Sequence, residues 1–391
     1  MKNVKSNSIV TVLLIGIFSG MFQNLNATFG KDKATLSSKQ IIFEEKPSNH
    51  FVKIALLLDT SNSMDGLINQ AKAQLWDIVN EFTHARCQDY ERPNLQIALY
   101  EYGNDKLSSR EGYIRQVLAF SSDLDEISEK LFSLSTNGGE EYCGTVINSS
   151  LRQLDWGKNP DDLKLIFIAG NEPFDQGGLD YRDATAQAKE KDIVVNTIFC
   201  GHYDQGIASY WKDGAKRTDG DYMAIDHNRE IVHIETPYDD IIIKLNAKLN
   251  ATYVAFGNRG EKSRMNQVLQ DSNALEMEAD VAVKRAVSKS SKIYNNATWD
   301  LVDALEGKTL GVDIKYDELP KSLQGKSKAE VMKYVAGKKA ERISLQKQIQ
   351  QTNAQRDAFI TKTQQHQEAT LENAMIEAIK KQASRKSYIW E

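Results

Sequence analysis

The chain has 391 residues, 41% of them hydrophobic and 26% charged, with a formal net charge of −5. That length holds two domains, or one large domain with a helical extension, and so mild an acidity excludes a chain devoted to nucleic acid, which presents a strongly basic face. The charge is uneven: residues 321–391 carry 14 Lys and Arg against 7 Asp and Glu, a tail of +7 beside a remainder of −12, which suits an acidic partner, an anionic membrane surface or a solvated helical face.

Lys2 and Lys5 precede an apolar run from Ile9 to Phe22, and Asn24-Leu25-Asn26-Ala27 offers small and polar residues for cleavage after Ala27. The run is short of the roughly 20 apolar residues a membrane span needs. Residues 1–27 are therefore expected to be a signal peptide, with an uncleaved anchor as the alternative, and the chain is expected to be exported, periplasmic or extracellular. Residues 28–50 read as a polar linker with a short candidate strand at Ile41-Ile42-Phe43.

From Phe51 onward strand and helix patterns alternate. Val52–Leu58 is a nearly continuous apolar run, as in a strand buried on both faces. Leu67, Ala71, Leu75, Ile78 and Phe82 then form one stripe of an amphipathic helix. Strands are expected at Asn94–Tyr102 and Tyr113–Phe120, the pair close enough for a hairpin. Helices follow at Asp123–Phe132 and Gly144–Leu154, a buried strand at Leu163–Ala169, a helix at Tyr181–Lys191 and a third buried strand at Ile193–Phe199. A helix at Ile207–Ala215, a strand at Tyr222–Ile225 and a helix at Tyr238–Leu249 complete the region. This order predicts an α/β fold: a doubly wound, mostly parallel sheet, with ligands outside the carboxyl ends of its strands. Three loops leave that edge, after Leu58, before Gly144 and after Ala169. Cys143 and Cys200 both fall beside it, so a bridge between them is one arrangement open to an exported chain, although three cysteines, with Cys87, cannot all pair.

Gly257-Asn258-Arg259-Gly260 reads as a turn-rich break, and beyond it the sequence is rich in Ala, Lys, Gln and Glu. Helices are expected at Met265–Leu275, Ala279–Tyr294, Trp299–Ala304 and Lys328–His366. The stripe of the last is weak: Leu345 and Ile349 are followed by Thr352 and Arg356 before Phe359. Leu371, Met375, Ala378 and Ile379 make a better final stripe. The expected organisation is thus residues 1–27 signal, 28–50 linker, 51–256 α/β domain and 257–391 helical extension.

The first buried strand ends in Leu58-Asp59-Thr60-Ser61-Asn62-Ser63-Met64. Asp59 stands at the strand's carboxyl end, and Ser61 and Ser63 lie in the turn that opens the helix. A carboxylate and two hydroxyls can converge there, and hard cations such as Mg²⁺ prefer such oxygen ligands. Ser and Asp are also ordinary cap and turn residues; the flanking strand and helix favour the metal. No Gly-rich phosphate loop follows the strand.

This strand–Asp-x-Ser-x-Ser–helix arrangement resembles the metal-ion-dependent adhesion site of von Willebrand factor A domains, over roughly residues 51–256. More closely, the chain resembles bacterial exported members of that family with a helical C-terminal extension. The resemblance implies two further ligand loops. One supplies Thr; here Leu134–Gly144 has Thr136 before the paired glycines and Glu140 after them, with Glu141 next. The other supplies Asp; here Ala169-Gly170-Asn171-Glu172 offers Asn171 or Glu172. The implied cation is Mg²⁺, or Mn²⁺ or Ca²⁺, and the implied partner a protein or peptide presenting an acidic group.

The reading that follows is a non-enzymatic, metal-dependent binding module of the bacterial cell envelope. Two others compete. A phosphoryl-transfer hydrolase could use Asp59 as nucleophile, but such enzymes of the haloacid dehalogenase type carry a second Asp where this chain has Ser61. A structural envelope protein could use the domain as scaffold only. His202, after the third buried strand, is expected to be an exposed loop residue, and His227 and His233 lack metal-ligand spacing.

Overall fold

The computed structural model describes residues 50–87, 90–226, 234–306, 316–363 and 371–390, with side chains described throughout except at Ser63, Tyr316 and residues 371–374. Two units divide the chain, residues 1–43 and 44–391. The first, with the expected signal peptide, most of the linker and the candidate strand at Ile41–Phe43, lies outside the described residues, as do His227, His233 and His366.

The second unit is built on a six-stranded sheet. Its strands are β1 (Phe51–Asp59), β3 (Asn94–Tyr102), β4 (Ile114–Ser121), β5 (Leu163–Gly170), β6 (Val194–Cys200) and β7 (Tyr222–Ile225), in the order β4-β3-β1-β5-β6-β7. Every pairing is parallel except β3–β4, so the expected doubly wound sheet with an antiparallel edge is the fold observed. Alternation along β1 sends Ile54, Leu56 and Leu58 to one face and Ala55 and Leu57 to the other, which is why this strand reads as a continuous apolar run.

The second face is covered by α3 (Cys143–Gln153), α4 (Tyr181–Glu190) and α6 (Trp211–Lys216). Two helices are capped as their sequences ask. Asp123 accepts from the backbone N–H groups of Asp125 and Glu126 at the start of α2 (Leu124–Phe132), and Asp180 accepts from Arg182 N–H at the start of α4. The single helix expected at Ile207–Ala215 is instead α5 (Tyr203–Ala208) followed by α6. Tyr210 turns to φ +70° between them, and the Ser209 carbonyl accepts a bond from Phe174 N–H at 2.9 Å.

The first face carries α1 (Asp65–Glu81) and α2 against the sheet, with α7 (Asp239–Asn250), α8 (Gly257–Met277), α9 (Ala279–Lys289), α11 (Lys328–Thr363) and α12 (Leu371–Ser384) extending the same core. α1 is consequently buried on two sides. Trp76 and Val79 are fully enclosed, while Asp77 pairs with Lys284 at 2.8 Å and Asn80 accepts from Ser288 at 2.6 Å. The short α10 (Leu301–Ala304) joins Val254, Leu323, Val331 and Val335 in a smaller cluster. A two-residue strand β2 (Ala85–Arg86) pairs antiparallel with β8 (Ile389–Trp390), tying the end of the described chain to the end of α1.

Gly257 begins α8 rather than a break, and α9 stops at Lys289, short of Tyr294. The weak stripe of α11 has a physical meaning: its buried positions include Arg342 and Arg356, which pair with Asp300 and Asp303, and with Asp239 and Asp280. Lys380, Lys381 and Lys386 likewise pair with Glu81, Asp221 and Asp192. Much of the basic tail thus meets the acidic body of its own chain. Cys143 and Cys200 form no bridge: both are buried free thiols, and they sit in the hydrophobic clusters on opposite faces of the sheet.

Candidate functional site

The parallel register aligns Asp59 with Tyr102, so the ends of β1 and β3 share one edge, and β5 ends beside them at Gly170. The turns that leave this edge are locked to one another by backbone bonds. Thr60 N–H donates to Tyr102 O at 2.9 Å, Asn137 N–H to Thr60 O at 2.9 Å, and Asp105 N–H to Gly138 O at 2.5 Å. Asn104 adds a side-chain bond to Ser135 O at 3.0 Å. Two glycines allow this closeness. A Cβ on Gly139 would lie 2.6 Å from Gly103 O, and Gly103 itself has φ +77°, a conformation that side chains resist.

At the centre is Asp59, with no solvent exposure. Its Oδ1 accepts from Ser61 N–H at 2.7 Å; its Oδ2 is buried without a partner. Glu141, at the end of the loop before α3, is buried against it, and its Oε2 is also unpartnered. The Ser61 hydroxyl sits beside both carboxyl groups, but no aligned hydrogen bond reaches its Oγ. Burial pushes both carboxyls up, Asp59 to about 6 and Glu141 to about 9, and in Glu141 the neighbouring Asp59 charge adds to it. The pair therefore holds a proton between two acids at neutral pH. Beyond that shared proton these buried oxygens have only one another, and together they form a cradle for a positive centre.

The other expected ligands are distributed around this core. Ser63 lies in the 3-10 turn Asn62–Met64, one turn before α1. Thr136 donates its hydroxyl to Asp65 in the first turn of α1, which fastens the loop rather than serving the Asp59 cradle. Glu140 is exposed and accepts from Gln176 at 3.0 Å; the next residue, Glu141, is the one turned inward. Asn171 is half-buried and Glu172 exposed just after β5, and the Glu172 charge raises both Asp59 and Glu141. Among the described residues no three His, Cys, Asp or Glu side chains form a ready metal cluster. A cation here would rest on Asp59, Ser61 and Glu141, a mixed carboxylate–hydroxyl set of the kind hard cations accept.

Two features of the site lay outside the motif. Gly103-Asn104-Asp105, the start of the β3–β4 hairpin loop, contributes a fourth loop at the same edge. Tyr102 closes the floor, its hydroxyl donating to Ala169 O at 2.9 Å. His202 is exposed at the start of α5, as expected.

Residues 53–208 match the model of the von Willebrand factor type A domain, the family the motif resembles. Similar solved structures include the conserved hypothetical protein BatB from Bacteroides thetaiotaomicron, 19% identical over 45% of this chain and 90% of that one, with a TM-score of 0.35. The SpRpn10 VWA domain is 11% identical over 47% of this chain and 100% of that one, TM-score 0.34. The pilus adhesin SpaC from Lactobacillus rhamnosus GG, in an open conformation, is 15% identical over 47% of this chain and 29% of that one, TM-score 0.33. No curated protein matches the chain.

Proposed function

We propose that the von Willebrand factor type A domain formed by residues 53–208 is a cation-dependent binding module: Asp59, Ser61 and Glu141 hold a divalent ion, Mg²⁺ or a similar hard cation, through which the domain grips an acidic group on a protein or peptide partner. The observation that carries this reading is the set of three buried oxygens, Asp59 Oδ2, Ser61 Oγ and Glu141 Oε2, which have no partner beyond one another. A cation offsets their desolvation and displaces the proton shared by the two acids. Ser63 stands in the same turn and Glu172 at the rim, where its charge adds to the attraction. Bound there, the ion supplies a fixed positive charge; the chain's own residues orient it and close the site from below through Tyr102.

The domain acts in the cell envelope of the producing bacterium, reached through the signal segment at residues 1–27. No helix among the described residues is long and apolar enough to cross a membrane. The binding reading is favoured over the hydrolase because Ser61 stands where hydrolases of the haloacid dehalogenase type carry a second Asp.

The test is capture of envelope-fraction proteins on immobilised wild type and Ser61→Ala, in Mg²⁺ and in chelator, with a phosphatase assay alongside. A partner retained only by wild type in Mg²⁺ supports the module. Metal-dependent turnover lost in Asp59→Ala would replace it with the hydrolase.

A further inference from the structure

The helix α8 is amphipathic in an inverted sense. Its inward residues include Gln267 and Gln270, whereas Met265, Val268, Leu269 and Leu275 stand in solvent at 63%, 43%, 54% and 49% exposure. The orientation is fixed by the inward amides: Gln267 donates to Tyr294 Oη at 2.9 Å, and Gln270 accepts from Ser128 at 2.9 Å. Four large apolar side chains on one exposed helix face are of no use to a monomer and mark an interaction surface.

The charges along that face say what covers it. Lys262, Met265, Leu269, Ser272 and Glu276 follow a 3-4-3-4 spacing and so share one stripe. All but Lys262 and Glu276 are uncharged, and these two lie seven residues before and seven after Leu269. Both are exposed. A second copy of α8 running antiparallel, with the two-fold axis at Leu269, sets each Lys262 opposite Glu276 of the other copy, with Met265 and Leu269 of both copies between them and Val268 and Leu275 along one flank. A two-fold contact needs such a self-complementary patch.

We propose that the chain self-associates through α8, antiparallel about Leu269, with reciprocal Lys262–Glu276 pairs at the two ends. The contact is independent of the cation site, so it is tested in excess chelator on the full chain, by sedimentation across a wide concentration range. The expected result is a reversible monomer–dimer equilibrium. Leu269→Glu, which places two like charges on the axis, weakens it at least roughly tenfold. Lys262→Glu and Glu276→Lys each weaken it by about threefold or more, and the two together restore it. All these side chains are exposed, so the circular dichroism spectrum stays at wild type, as does the melting temperature at concentrations where every protein is monomeric. A wild type that remains monomeric throughout, a dimer indifferent to Leu269→Glu, or a double charge swap that fails to restore association each overturns the proposal. A monomer that instead floats with anionic lipid vesicles would give the face to a membrane and overturn it equally.

Discussion

Glu141 lies buried against Asp59 beneath the backbone of Gly103: a Cβ on Gly103 would fall 2.6 Å from Glu141 Cγ and 2.8 Å from Asp59 Oδ1. Two acids from different loops are thus held together at the carboxyl edge of the sheet by a residue that has no side chain to keep them apart. In the absence of a positive charge this arrangement opposes folding, since both carboxyls are pushed up by burial.

Glu141→Gln is accordingly expected to have opposite effects in the two metal states. In chelator it removes an acid that must take up a proton on folding, and raises the melting temperature by a few degrees. In Mg²⁺ or Mn²⁺ it loses a ligand, and calorimetric affinity drops by roughly tenfold or more. Equal behaviour with and without metal would dissociate Glu141 from the cation.

Gly103→Ala tests the cradle without touching a ligand. The positive φ and the close approach to both acids leave no room for a methyl group, so a loss exceeding about 1 kcal/mol is expected in denaturant unfolding, together with weaker cation binding. A variant as stable as wild type, with unchanged titration, would contradict the packing described.

The C-terminal helices belong to the fold rather than to a detachable appendage. Ile379 and Ala383 of α12 are fully buried, and Lys380 pairs with Glu81 of α1 at 2.5 Å. Ile379→Ala is expected to cost about 2–5 kcal/mol, lowering the melting temperature of the whole second unit in one transition. Loss of a separate, minor transition would instead indicate an independent tail.

A buried ion network anchors α8 and α9. Arg285 and Lys289 both contact Asp271, at 2.6 and 2.8 Å, and Arg285 also reaches Asp125 at 2.7 Å. Burial pushes the Asp271 carboxyl up, but Lys289 and Arg285 outweigh it and hold it well below the usual carboxylate range. A depressed folded value means stability that is full above the unfolded value of 3.8 and is lost progressively as pH falls from there through the lower folded value. Asp271→Asn is therefore expected to cost about 3–5 kcal/mol at neutral pH, with the gap to wild type narrowing as pH drops below 4. A gap constant over that window would remove the charge from the explanation.

What the sequence disclosed and withheld follows from how each signal arises. Buried parallel strands announce themselves as unbroken apolar runs, and β1, β5 and β6 were legible within a residue or two of their ends. Asp59 and Ser61 were legible because they share one turn. Glu141 was harder: it is adjacent to Glu140, and only the backbone path through Gly138 and Gly139 decides which of the two turns inward. The burial of Arg342 and Arg356 was invisible, since their partners Asp300, Asp303, Asp239 and Asp280 lie far away in the chain. Thr136 offered a hydroxyl in the right loop, yet Asp65 claims it, a local competition that spacing does not reveal.

The most direct measurement is titration of the chain with Mn²⁺, followed by electron paramagnetic resonance of the free ion, for wild type, Asp59→Asn and Glu141→Gln. One tightly bound ion per wild-type chain, lost in the first variant and weakened in the second, is the predicted result. Free Mn²⁺ that rises linearly from the first addition in wild type, or an equal bound fraction in all three proteins, would contradict it.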